Sequence, residues 1–271
     1  MLTLILLFAF QVANPQEMAC AGSVQEMKVP EDVYIAGLWE EGTAASSSPG
    51  QVLFLNGSGI SALKTGMVYR VIRPEGRVRD PKTKSRLGTY YKDIGTIKIE
   101  SVETTNATAR VMTSCSGMMV KGDLVVPNIP RPVVEFAGNK SNALTIVKGG
   151  LTSSILFAKD DVKEMAAGTF CFVPVGRREG VKPGDRFVIF RPYPGFNPQD
   201  MNVLGITANS TYAPVRNGMY RYKEDAMLRG RTLPPQVLGD VVIVEAGEGV
   251  STGMIINSLL EIHPGDGVVK K

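Results

Sequence analysis

Residues 50–74, GQVLFLNGSGISALKTGMVYRVIRP, and residues 168–192, GTFCFVPVGRREGVKPGDRFVIFRP, decide the fold, because they align without a gap at a separation of 118 residues. Gly50 falls on Gly168, Phe54 on Phe172, Lys64 on Lys182, Gly66 on Gly184, Arg73 on Arg191 and Pro74 on Pro192. Tyr69 and Val71 meet Phe187 and Ile189. The match resumes with Leu87-Gly88 against Leu204-Gly205 and Ile94-Gly95 against Leu238-Gly239, then closes with Lys121-Gly122-Asp123 against Pro264-Gly265-Asp266. One order of parts kept twice marks an internal duplication.

Within each copy the apolar period is two. Met67, Tyr69 and Val71 alternate with their neighbours, Ile97 and Ile99 flank Lys98, and 241–244 and 254–256 are short apolar runs next to glycines, so these are strands. The Lys-x-Gly and Pro-Gly-Asp elements read as tight turns in which glycine takes a positive φ and aspartate accepts backbone N–H bonds. Frequent short strands with Gly/Pro punctuation predict an all-β chain of two tandem, internally duplicated small barrels or sandwiches. At most one or two short helices are expected, at 160–167 with Asp160 as N-cap and at 219–228. The first β-domain is expected over 22–131 and the second over 132–271, with an insertion at 206–236 and a proline-stiffened linker, NIPRP, at 128–132.

The whole chain fits this class. It has 271 residues, 44% apolar and 21% charged, which argues against disorder and against a polytopic membrane protein. The apolar run 2–13, followed by Asn14-Pro15-Gln16-Glu17 and the small-x-small triplet Ala19-Cys20-Ala21, reads as a signal peptide over 1–21 with the mature chain starting at Gly22. The protein is therefore expected in the periplasm or outside the cell. Removal of Cys20 leaves Cys115 and Cys171, a candidate disulfide in an oxidising compartment. No CxxC or Cys/His cluster is present, so neither a metal nor another cofactor is expected.

Charge indicates where binding resides. The net charge is only +4, yet 70–86 carries Arg70, Arg73, Arg77, Arg79, Lys82, Lys84 and Arg86 against Glu75 and Asp80. The second-copy insertion interleaves Arg221 with Tyr220 and Tyr222. Cations beside aromatic faces suit an anionic polymer or a sugar ring. The candidate binding residues are thus Arg77, Arg79, Lys82, Lys84, Arg86, Arg221, Tyr220 and Tyr222. No nucleic-acid recognition motif occurs. GxSxG, HExxH and P-loop motifs are also missing, and the single histidine, His263, stands in a turn at the place of Val120.

The run VLFLNG…LKTGMVYRVIRPEGRVRDPKTKSRLGTYYKDIGTIKIESV…ATARVMTSCSGMMVKGDLVVP resembles the duplicated β-domains of bacterial envelope proteins that often carry a LysM peptidoglycan-binding module. The half-repeat GVKPGDRFVIFRP is similar to the C-terminal domain of flagellar assembly protein T. The resemblance covers residues 34–271 and implies an exported, non-catalytic envelope component, although no LysM module is recognisable in this chain. The expected partner is an envelope protein or an anionic cell-wall polymer, bound without nucleic acid and without a transmembrane segment in the mature chain. A self-assembling subunit pairing through strand edges, and a hydrolase using carboxylates from separate strands, are the alternatives.

Overall fold

Alternating apolar residues bury one face of each strand, and the computed structural model shows two sheets of seven strands each. It describes residues 10–11, 14–39, 48–81, 83–115, 117–136, 138–147, 149–192 and 234–271. A two-residue strand β1 (Phe10–Gln11) precedes the first sheet, which contains β2 (Ser23–Gln25), β3 (Tyr34–Leu38), β4 (Val52–Asn56), β5 (Val68–Arg79), β6 (Arg86–Val102), β7 (Asn106–Ser114) and β8 (Leu124–Pro127). After β9 (Glu135–Phe136), which pairs with β1, the second sheet contains β10 (Thr152–Ser154), β11 (Phe157–Ala158), β12 (Phe170–Val173), β13 (Arg186–Arg191), β14 (Gln236–Ala246), β15 (Ser251–Ser258) and β16 (Gly267–Lys270).

Both sheets are rings with one topology. In the first, the neighbours run β6-β5-β8-β3-β4-β7, and β7 pairs back onto β6, so six strands close into a barrel with β2 added to the outer part of β6. The second runs β14-β13-β16-β10 and then β11-β12-β15-β14, with β10 and β11 together standing where β3 stands in the first. Closure leaves few sheet edges to protect.

The duplicated turns coincide in detail. Gly66 N donates to Ile99 O at 2.8 Å and Ile99 N to Met67 O at 3.0 Å, while Gly184 N donates to Ile243 O and Ile243 N to Asp185 O, both at 2.8 Å. Gly66 and Gly184 have φ of 83° and 92°, the left-handed conformation that a glycine adopts most readily. Arg73 grips Asp123 at 2.7 and 2.9 Å and the Met118 carbonyl at 2.7 Å. Arg191 likewise grips Asp266 at 2.7 and 2.8 Å and the Glu261 carbonyl at 3.3 Å. In both copies the same carboxylate accepts the N–H three residues before it, Val120 N or His263 N. The repeated arginine is a latch on the last turn of each barrel, and His263 is a turn residue beside it.

The barrel interiors are filled by matching positions. Val71, Ile97, Ile99, Val111 and Val125 in the first core correspond to Ile189, Val241, Ile243, Ile255 and Val268 in the second. Leu53 corresponds to Cys171. That correspondence corrects the expected disulfide: Cys171 is a free, fully buried core residue, and Cys115 is bonded to Cys20 with a Cα–Cα distance of 5.5 Å. An inward-pointing side chain in a filled barrel cannot reach a strand end on the other barrel.

The N-terminal segment also departs from expectation. Asn14 caps a short helix, α1 (Pro15–Ala19), in a capping box: Glu17 N donates to Asn14 Oδ1 at 2.8 Å and Asn14 N to Glu17 Oε2 at 2.9 Å. Met18 and Ala21 are buried against Phe170, Val244 and Met254 of the second sheet. The expected cut after Ala21 thus falls inside a segment that the fold uses, and removing 14–21 would strip Cys115 of its partner. The expected helix over 160–167 is likewise replaced by a single 3₁₀ turn, Lys159–Asp161, because Met165 is drawn into the second core and pairs with Ile262. The second helix candidate, 219–228, lies outside the described residues, as does most of the 206–236 insertion.

The linker 128–132 is irregular in backbone but not loose. Arg131, 6% exposed, bonds the Glu245 carboxylate, Asp93 Oδ2 at 2.9 Å and the Met18 carbonyl at 2.6 Å, so one side chain joins the linker, both sheets and α1.

Candidate functional site

The strongest candidate is a groove made by the part of the first sheet that extends past its barrel. β5 has 12 residues and β6 has 17, but β8 covers β5 only at 69–72 and β7 covers β6 only from Gly95 onward. The outer halves of β5 and β6 therefore project as an arm. Its tip is an ordered turn: Thr83 N donates to Asp80 Oδ1 at 2.9 Å, Lys84 N to the Asp80 carbonyl at 2.9 Å and Asp80 N to the Ser85 carbonyl at 3.0 Å, with Lys84 at a φ of 60°.

One face of the arm is glued to the second sheet. Val24, Val78, Leu87 and Tyr90 pack against Leu156, Phe157, Phe172 and Val250. Phe157 stacks on Phe172 with centroids 4.6 Å apart, and the Tyr90 ring meets both edge-on at 5.3 and 5.0 Å. Burial, reinforced by the fields of Asp160, Asp93 and Glu75, holds the Tyr90 phenol well above the usual tyrosine range. Its hydroxyl is buried without a hydrogen-bond partner.

Beside this contact lies a cavity of about 540 Å³. One wall is the β5 stretch from Glu75 to Arg79, and the other is Leu156, Phe157 and Ala158 with Asp160 and Asp161. Lys92 reaches across to Asp160 at 2.5 Å, and Lys159 approaches the same carboxylate at 3.3 Å. Burial opposes ionisation of Asp160, but the two lysines outweigh it and hold the carboxyl below its ordinary value. Asp160 and Asp161 have φ of 60° and 54°, a left-handed pair that turns the chain away from β11 and forms the lip of the groove.

A second cavity of about 520 Å³ lies on the other side of Asp160, bordered by Glu17, Cys20, Cys115 and Phe170. No group of three or more His, Cys, Asp or Glu side chains able to hold a metal occurs among the described residues. No helix among them is long and apolar enough to cross a membrane.

The structure sorts the basic residues that the sequence groups together. Arg77 and Arg79 are exposed and line the groove, and Lys84 and Arg86 are exposed at the arm's tip. Arg70 is instead turned toward buried Asp93, and Arg73 is the latch on Asp123, so neither offers its charge to a ligand. Lys82, Arg221, Tyr220 and Tyr222 lie outside the described residues. Sequence reasoning missed Tyr90, Lys92, Phe157 and Asp160. Their signal was weak: each is ordinary in its own strand or turn and acquires meaning only when the arm lies on the second sheet.

A scan against protein-family models finds no match to this chain, and a search of the curated proteins finds no relative.

Proposed function

We propose that this protein is an exported, non-catalytic component of the bacterial cell envelope that binds an anionic partner through the basic arm and the groove beside it. The observation that carries the reading is the arm itself. Arg77, Arg79, Lys84 and Arg86 stand exposed on the hairpin of β5 and β6, and Lys82 adds a fifth cation in its sequence. Such a concentration of one sign attracts anions over about 8 Å at physiological ionic strength.

Three further points support the reading. The Cys20–Cys115 disulfide suits an oxidising compartment. The resemblance to duplicated envelope β-domains points to the same place. Asp160 is engaged by Lys92 and Lys159, which suits a structural carboxylate at the lip of the groove.

The test is a pull-down from envelope fractions with the full chain and a variant carrying Arg77→Glu, Arg79→Glu, Lys82→Glu and Lys84→Glu. Capture should weaken steeply with salt and vanish in the folded variant, whose thermal midpoint stays nearly unchanged because exposed charges contribute little to stability. Undiminished capture by the folded variant would remove the arm from the account.

A further inference from the structure

Resting on the reading of the arm as the binding face, we infer that the element recognised there is an extended acidic peptide segment of a protein partner, added as a strand to the open edge of β5. Past Ile72, β5 pairs only with β6. Residues 74–79 therefore have no backbone partner on their outer side among the described residues. This edge is about 20 Å long at 3.3 Å per residue, and alternate residues direct their N–H and C=O groups outward along it. Across the groove, β11 pairs only with β12, so the opposite wall is also a strand edge. Two open edges facing one cavity suit a chain that brings its own alternating donors and acceptors. A glycan main chain has no amide groups spaced as those of a β-strand are.

Charge decides what kind of chain fits. Two carboxylates of the groove are already engaged, Asp160 by Lys92 and Lys159 and Asp161 by Lys163 at 2.7 Å, which leaves Glu75 against the arginines of the same strand. Arg77 and Arg79 remain, on one face at a spacing of two, opposite the face that buries Val78. An incoming strand with acidic residues at alternate positions would place them across from these arginines.

The same features argue against a second copy of this chain. In a two-fold pairing of β5 with β5, arginine would lie across from arginine. The edge is protected against itself and open to an acidic strand.

The experiment uses the full-length, disulfide-bonded protein and a pool of fluorescein-labelled nonapeptides alternating Glu or Asp with Val, Ile or Thr, read by fluorescence anisotropy. Two matched pools carry N-methyl groups on the odd or the even amides, and heparin hexasaccharide serves as the polyanion control. The parent pool should bind and be displaced by added salt, and one of the two methylated registers should bind at least tenfold more weakly than the other. Equal binding of the parent and both methylated pools would overturn strand addition while leaving the arm as a charge-only surface. Binding of heparin without any peptide would overturn the peptide assignment and keep the anionic-partner reading. Failure of peptides, heparin and envelope fractions together would remove both. Concentration-dependent dimerisation abolished by Arg77→Pro would assign the edge to a second copy and overturn the inference.

Discussion

Replacing Cys20 and Cys115 by serine tests whether the N-terminal segment belongs to the fold. The bond links residues 95 apart in sequence, and in the chain-entropy description closing a loop of that length lowers the free energy of folding by about 4.7 kcal/mol at 25 °C. The native state adds little strain relief to offset this, because α1 is held independently by the burial of Met18 and Ala21 and by Arg131 on the Met18 carbonyl. The double variant should therefore fold to the same structure but lose about 3–5 kcal/mol. Urea denaturation of the full chain reads the loss as a lower midpoint at similar slope. Wild-type protein in reductant should match the variant, and Cys171→Ser should leave the effect of reductant intact. A loss below about 1 kcal/mol, or a non-reducing peptide map that joins Cys115 to Cys171, would refute the reasoning.

Other outcomes follow from the same contacts. Arg131→Ala leaves Asp93, 1% exposed, with the Gly22 N–H at 2.8 Å and Arg70 Nε at 3.4 Å as partners, so a stability loss of about 3 kcal/mol, the low end for a broken buried pair, is expected in the same urea assay. Arg131→Lys should rescue little, since one ammonium cannot span the same acceptors. Arg73→Ala and Arg191→Ala remove equivalent latches that are about a third exposed, and each should cost about 1–2 kcal/mol by thermal melting. A large inequality between the two would contradict the equivalence of the turns. Burial pushes the Cys171 thiol up to about 12, so at pH 8 iodoacetamide should label it only after unfolding, as mass spectrometry would show.

What was legible in the sequence was whatever the duplication repeats. Gly66 and Gly184, Gly122 and Gly265, and the Arg-Pro pairs mark turns because each turn imposes the same backbone demand in both copies. The apolar alternation then gives the strands. The register of the repeat also bears on the cysteines: it puts Cys171 on Leu53, an inward apolar position, which disfavours a disulfide there.

The N-terminus is ambiguous in sequence for a different physical reason. A polar break after an apolar run, followed by small residues, describes a signal-peptidase site and a capped helix equally well. The spacing of Asn14 and Glu17 is what favoured the helix. The groove was illegible because it belongs to neither copy alone. Arg77 and Arg79 come from the arm, Phe157 and Asp160 from the other sheet, and contacts such as those of Arg131 with α1 and both sheets help set their placement.

Hydrogen–deuterium exchange on the full chain, with and without the partner captured from envelope fractions, tests the central claim most directly. The account predicts new protection along residues 74–79 of β5 and 156–161 at the opposite wall, with the barrel cores unchanged. Protection confined to other segments, with none on the arm or across the groove from it, would contradict it.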